Sequence, residues 1–475
     1  ATPDPTHQDL DNRLLRRDLL RFSALGLASA GLLGGPPRPA FADEPDAKDH
    51  RLAVPGNLTI DQIDLIPVRV PFREVPARNM ARELPHWDYF EVIRVRLRSG
   101  HVGYGETMAF YTWGRTGDED IRRAQGANAS ALMWDDSLGA GLQIALFDAV
   151  ARALGVPIHR LLGSKLRHRT ALSWWDIDMP PNDWALECKE ALAQGYTAFK
   201  TKGRPWFDVR EQVRAVSAVV PESFKIDIDF NDTLLDAERA IPILKDLEIN
   251  PRIGIYETPI PQSDVEGNVA ICQAVRTPIA MHYGTPKPLT ALKHDVCDGF
   301  VIGGGAHRVL EQGAVAAMAE KPFWLQLVGS GITAAFSMHL AAVLRLAQWP
   351  AVNCHQLFTH TLLTEPIRVE AGTAEVPERP GLGFQIDEDA LRRFRVERIK
   401  DRPEPERLIE VSWPDGRRMY IANDDEVNFM LRPGIAGKIP YYKAGAMTRL
   451  VPNDDGDRWR SLYDQARNRP VFEEK

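Results

Sequence analysis

The sequence predicts an α/β chain built on a (β/α)₈ barrel of the TIM type, and three observations predict it. Short β-branched or apolar runs, "AFKTKG", "FKIDIDFN", "IGIYETP" and "TPIAMHYG", recur about one β/α unit apart. Each ends in polar residues, and each is followed by a helix-length segment. A barrel of this kind gathers its strand tips at one mouth, so Lys200-Thr201-Lys202, Asp229-Phe230-Asn231, Glu257-Thr258-Pro259 and His282-Tyr283 are expected to meet in space.

Taken in order, the chain opens on an address. Arg16-Arg17-Asp18-Leu19-Leu20-Arg21, the apolar "FSALGLASAGLLGG" and the small-residue site Ala40-Phe41-Ala42 read as a twin-arginine export signal over residues 1–42. A periplasmic or secreted protein is the expectation, with no membrane contact after cleavage. Residues 43–57 read as a linker, and 58–165 as a small α+β capping domain. Between its first two strands "REVPARNMARELPHWDYF" reads as a loop, with Arg78, Arg82, His86 and Trp87 placed to close over an anionic substrate or to form a plain solvated charge run.

The barrel is expected over residues 166–400. Its first strand, "ALSWWDID", sets Trp174 beside Trp175, so one points inward if the other packs on helices, where it stacks on a sugar face or fills core. "GGG" at Gly303 to Gly305 and "GSG" at Gly329 to Gly331 lack dinucleotide or Walker spacing and read as tight strand-end turns. Beyond residue 401 a β-rich extension runs to 475, with a hairpin of Leu408 to Trp413 and Arg418 to Ala422 about Pro414-Asp415-Gly416. Covering the barrel, binding a partner chain and extending the cap sheet are all open to it.

Composition agrees with an enzyme-sized core. The chain has 475 residues, 44% hydrophobic and 26% charged, with a net charge of -7. No long basic run is present, which argues against nucleic acid as a partner. The four cysteines have no metal-ligand spacing and are expected to be buried free thiols.

Lys200 and Lys202 stand two apart, so on a strand they share a face, and two ammonium groups that close disfavour each other's charge. A lysine depressed in this way acts as a base near neutral pH. Asp229 and Glu257 come from successive strands and are candidate oxygen ligands for a hard divalent cation. Together they describe removal of a proton from the carbon beside a carboxylate, with the metal stabilising the enediolate.

From about residue 58 to 397 the same motifs recur in a known order: "IDQIDLIPVRVPF", "VIRVRLRSGHVGYGET", "LQIALFDAVARALGVPIHRLLGSK", the Lys-x-Lys, the Asp-x-Asn, the Glu-x-Pro and "VPERPGLGFQIDEDAL". In these the chain resembles the enolase superfamily, specifically its mandelate racemase and muconate lactonizing enzyme branch. The resemblance implies a small-molecule acid as substrate, a divalent metal, a homo-oligomer, Lys202 as base, Lys200 as its electrostatic neighbour, and Asp229 and Glu257 as ligands. It also exposes departures. His282-Tyr283 stands where the family has its third metal carboxylate, Gly303 and Gln326 stand where racemase-like members have a second base, and an eighth-strand Glu gives way to His355-Gln356.

With His282 as ligand, the preference moves from magnesium toward manganese or zinc; a site without metal is the other possibility. Tyr283 is a candidate proton donor, and Asn231, Trp174, Trp175, Gln326, Arg78 and Arg82 are candidates for substrate contacts. Lacking a second base, the site points to dehydration of a sugar acid or one-base epimerisation. Two classes stay open: this lyase or isomerase, and a catalytically lapsed barrel that binds a carbohydrate or acid without turnover.

Overall fold

The computed structural model describes residues 57–111 and 114–473. The export signal at 1–42 and linker residues 43–56 lie outside the described residues. Strands β1 (Ile60–Arg69), β2 (Tyr89–Leu97) and β3 (Val102–Met108) form an antiparallel sheet in that order. Helix α1 (Glu74–Glu83) and a 3₁₀ turn at Pro85–Asp88 join β1 to β2, where the sequence reading expected a loop. Its prolines disguise the helix: Pro76 sits in the first turn, where its missing N–H costs nothing, and Pro85 opens the next turn.

Helix α2 (Ala140–Leu154) lies directly on β3, and glycine makes that approach possible. A Cβ at Gly105 would fall 2.1 Å from the carbonyl oxygen of Gly141, and one at Gly103 2.2 Å from the amide nitrogen of Ala149. From Ala140 to Ala151 every residue of α2 is buried, as expected of a helix apolar nearly all round.

The barrel has eight parallel strands: β4 (Arg169–Trp175), β5 (Ala198–Lys202), β6 (Lys225–Asp229), β7 (Ile253–Glu257), β8 (Ile279–His282), β9 (Gly299–Ile302), β10 (Phe323–Leu325) and β11 (Ala351–Val352). They pair in sequence, β11 pairs back onto β4, and a bridge from Gln326 to Val352 closes the ring. Helices α3 (Pro181–Ala193), α4 (Val209–Ser217), α5 (Ala237–Leu247), α6 (Val265–Ala274), α7 (Pro288–His294), α8 (Ala306–Met318) and α9 (Gly331–Val343) follow the first seven strands. No barrel helix follows β11 among the described residues. The chain instead returns through β12 (Val369–Glu370) and β13 (Thr373–Glu375), which lies antiparallel on the start of β4.

Beyond residue 401, β14 (Leu408–Ser412), β15 (Arg418–Ala422), β16 (Met447–Val451) and β17 (Val471–Glu473) build an antiparallel sheet of their own. The expected hairpin forms, with Gly416 at φ 90° in its turn. The extension packs on the loop after β5, where Trp206 and Phe207 share a core with Ile409, Val411, Met419 and Ile421. Tyr442 hydrogen-bonds Thr233 after β6 at 2.7 Å, and Arg407 donates to the Glu83 carbonyl at 2.8 Å. It therefore walls one side of the barrel mouth and leaves the cap sheet at three strands.

Cys188, Cys297 and Cys354 are buried, Cys272 partly so, and all four are unpaired. No described helix is long and apolar enough to cross a membrane.

Burial pushes the imidazole of His339 down to about 3 and that of His86 to about 3; His355 falls to about 4. His339 Nε2 lies 3.1 Å from the Leu382 carbonyl and its Nδ1 faces the His159 amide at 3.3 Å, which demands the neutral Nε2–H tautomer. A folded value below the ordinary one means the folded state refuses a proton that the unfolded chain accepts. Each such group gives its full stability above pH 6.5 and loses it as pH falls toward the folded value. The expected loss is about 1.4 kcal/mol per pH unit for each imidazole. His339→Gln should flatten the stability slope between pH 6.5 and 5 by about one proton. Urea midpoints over that range check this, and an unchanged slope counts against it.

Candidate active site

Strand register gathers the charged tips before any side chain is considered. Lys202 stands opposite Asp229, and Asp229 opposite Glu257, so β5, β6 and β7 carry one charged row. Lys200, two residues back, shares their face. Its ammonium lies 3.2 Å from Asp229 Oδ2 and 2.5 Å from Glu257 Oε2, while Lys202 Nζ lies 2.5 Å from Asp229 Oδ2. His282 Nε2 completes the cluster at 2.9 Å from Glu257 Oε1.

The two lysines are not equivalent. Lys200 is 1% exposed and bridges both carboxylates; Lys202 is 15% exposed. Burial works to lower Lys200, but Asp229 and Glu257 win and hold it above the ordinary lysine range. For Lys202 burial prevails, helped by the charges of Lys200 and Arg204 against the pull of Asp229, so its proton affinity is lowered. Burial would raise Asp229; Lys200, Lys202 and Arg204 overcome it and keep the carboxylate ionised.

Arg204 is a member that the sequence reading missed. It continues the alternation of Lys200 and Lys202, a period of two that marks it as facing the same way. Its guanidinium donates to Asn231 Oδ1 at 2.6 Å, and Lys202 donates to the same oxygen at 3.2 Å. Asn231, expected at the substrate, thus orients the lysine instead.

Other residues expected at the substrate have partners within the chain. Arg78 is paired with Asp183 through two hydrogen bonds, and Arg82, 3% exposed, is paired with Asp178 and Glu83. Both arginines tie α1 to the barrel, because acids that were far off in sequence face them across the seam. Trp174 is buried on the outer side, donating to Glu187 at 2.9 Å and meeting Tyr196 edge-on. Trp175 stacks on Trp87 of the cap at 5.4 Å, and Trp87 meets Tyr111 edge-on. His86 is buried rather than poised over a substrate.

Both glycine loops are already occupied by carboxylates of the cap. Glu106 accepts from the amides of Ser330 and Thr333 at the start of α9. Asp136 accepts from the amides of His307 and Arg308 at the start of α8, at 3.1 and 2.9 Å. A Cβ at Gly305 would fall 2.2 Å from Asp136 Cγ, so glycine there admits the acid. These helix N-termini serve as docking points for the cap. The partners are too distant in sequence for any local signal.

Next to the charged row opens a cavity of about 440 Å³, lined among others by Tyr111, His282, Tyr283, Gly303, Arg308 and Gln326. Neither lysine lines it; cavity and charged row meet at His282. Gln326 donates to the Tyr111 hydroxyl at 3.2 Å, linking barrel and cap across the space. Tyr283 packs edge-on against Phe300, and burial raises its phenol above the ordinary value.

A capped barrel with two lysines facing two carboxylates defines a class of proteins that handle acidic carbon centres. Residues 183–390 match the family model described as "Enolase C-terminal domain-like". The chain is 28% identical to D-gluconate dehydratase of Thermoproteus tenax, over 68% of this chain and 74% of that protein. It is 26% identical to muconate cycloisomerase 1 of Pseudomonas putida, over 67% of this chain and 94% of that protein. Among solved structures, a muconate cycloisomerase from Pseudomonas fluorescens shares the fold at a TM-score of 0.58, with 23% identity over 72% of this chain and 99% of that one. These matches support an enolase-superfamily assignment, with likeness to its mandelate racemase and muconate lactonizing enzyme branch, and with an enzyme of the lyase or isomerase type.

Use of a divalent metal is general in that family. The donors here fit one in kind: two buried carboxylates on adjacent strands, an imidazole nitrogen beside one of them, and an ammonium standing as a cation between the pair. Among the described residues no three His, Cys, Asp or Glu side chains are grouped as a metal site. Lys200 holds the two carboxylates, and His282 turns onto Glu257.

Proposed function

We propose that this protein removes the proton α to the carboxylate of a sugar acid or related hydroxy acid, and that the main reaction is loss of water. The observation that carries this is the inequality of the lysines: Lys200 is sealed between two carboxylates, whereas Lys202 is partly exposed with a lowered proton affinity. A lysine in that state takes a carbon-bound proton when the substrate carboxylate is held beside it. Lys200 and Arg204 supply positive charge on the same strand face, which lowers the cost of the enediolate's developing charge. Asn231 keeps the Lys202 amine aligned.

Gly303 and Gln326 offer no second base, so the proton that Lys202 takes is returned by the same amine. It goes to a departing hydroxyl on the same face in a dehydration, or back to the α-carbon in a one-base epimerisation in which the planar enediolate first turns its opposite face to the amine. Tyr283, in the cavity wall, is the candidate hydrogen-bond donor to that hydroxyl. Asp229, Glu257 and His282 would hold the divalent ion, which supplies charge stabilisation to the substrate carboxylate when bound; the imidazole favours manganese or zinc over magnesium. The relatives named for gluconate, arabinonate and muconate conversions support the sugar-acid or diene-acid range of substrates.

The test is a panel of aldonic, aldaric and uronic acids incubated in deuterated water, with magnesium, manganese or zinc and without, scoring both turnover and deuterium at the α-carbon. Turnover or exchange on a member of the panel supports the reading. Binding without either, across all members and ions, replaces it with the lapsed, ligand-binding barrel.

The same reading extends to location. The Arg16-Arg17 motif is proposed to send the protein to the periplasm or beyond. Changing both arginines to lysine is expected to leave the protein in the cytoplasmic fraction; undiminished export would count against a twin-arginine route.

A further inference from the structure

Arginines in and around the cap are met by acids. Arg73 is paired with Glu187, Arg78 with Asp183, Arg82 with Asp178, and Arg115 and Arg398 with Glu91. Arg308 differs. Its backbone amide holds Asp136, but that carboxylate is committed: Oδ1 accepts from Gln143 at 2.8 Å and from the His307 amide, and Oδ2 from the Arg308 amide. The Arg308 guanidinium has no ion pair or hydrogen bond among the described residues. It lines the 440 Å³ cavity, with its stem laid over Gly304, where an added Cβ would stand 3.3 Å from Arg308 Cδ.

The cavity therefore has two distinct polar ends. At His282 it meets the lysine and carboxylate row; at the β9 end it offers an unpaired guanidinium. Tyr111, Tyr283 and Gln326 lie in the wall of the same space, which is the lining expected for a hydroxylated chain. An arginine fork left open in a cleft matches a planar carboxylate.

Resting on the reading above, we propose that the substrate is a hydroxylated dicarboxylate, one carboxylate entering the reacting centre and the other bound by Arg308. Arg308 is then a specificity-determining residue: it selects diacids over monoacids of the same length without taking part in proton transfer.

Isothermal titration of the full protein with galactarate and gluconate, which share a six-carbon hydroxylated skeleton and differ at the far end, tests this. Galactarate is expected to bind more tightly. Arg308→Ala should weaken galactarate by about ten- to a hundred-fold, the worth of one charge-assisted pair, and change gluconate by less than about two-fold. Arg308→Lys, which keeps the charge but loses the fork, should fall between. Equal losses for both acids, or no preference for galactarate in the parent, overturn the proposal; tighter binding of 6-phosphogluconate than of galactarate overturns its assignment to a carboxylate. Because the readout is binding, parent protein that exchanges no α-proton would remove the Lys202 reading while leaving this comparison to stand or fall alone. Arg308 is exposed, so the variants are expected to fold.

Discussion

Lys202→Met should abolish turnover and α-proton exchange while leaving the fold and acid binding nearly intact. The side chain is 15% exposed, its amine is held by Asp229 at 2.5 Å and by Asn231 at 3.2 Å, and its proton affinity is lowered by burial together with Lys200 and Arg204. Methionine keeps the stem and removes the amine. A general base contributes about a hundred- to ten-thousand-fold, so a loss in that range in kcat with little change in ligand affinity is expected. Lys200→Met should also impair the reaction, but by a different route: it removes the charge that depresses Lys202. Its exchange should survive at reduced rate, with the pH optimum moved upward. Retained exchange in Lys202→Met on an identified substrate would hand the base role to His282 or Tyr283.

The largest expected stability change is that of Asp229→Asn. Its Oδ2 faces both lysines, its Oδ1 accepts from the Asn231 amide at 2.8 Å, and Arg204 lies in the same field. Neutralising that carboxylate leaves three buried cations facing Glu257 alone. Breaking a buried charge network by removing one partner typically costs about 3–5 kcal/mol, a large part of the roughly 5–15 kcal/mol that holds a domain folded. Urea unfolding should show the loss, and Asp229→Asn combined with Lys202→Met should recover part of it, since one of the repelling charges is gone. If Asp229→Asn costs under about 1 kcal/mol, the row is solvated and the electrostatic account of Lys202 fails with it.

Much of this site was legible because strand chemistry is local. A period of two places Lys200 and Lys202 on one face, and repeated apolar runs of strand length predict that Asp229, Glu257 and His282 end successive strands. Arg204 obeys the same rule, one step further along the alternation of Lys200 and Lys202. Trp175 and Trp174 divide as adjacent strand residues must, one toward the cap and one toward the helices.

The failures have a common cause. Arg78 and Arg82 have acids close by in sequence, Glu74 and Glu83, but the partners that tie them to the barrel, Asp183 and Asp178, come from about a hundred residues away. The glycine loops at 303–305 and 329–331 read as strand-end turns, and nothing local announces the cap carboxylates that dock on them, Asp136 and Glu106. Helix α1 is disguised as a loop by Pro76 in its first turn and Pro85 just beyond its end, both at tolerated positions.

What the amino-acid sequence determined by itself, then, is the set of strands, their polar tips and the family they mark, since periodicity and tip chemistry are written residue by residue. Tertiary structure decided which charges are spent on each other and which remain. Lys200 is sealed and Lys202 left reachable, the extension walls the mouth over Trp206 and Phe207, and the Arg308 guanidinium has no ion pair among the described residues. Those outcomes depend on burial and on partners brought close by the closing of the barrel and the seating of the cap. A buried charge is stable only in the company of its partner, and that partner is chosen by the fold in three dimensions.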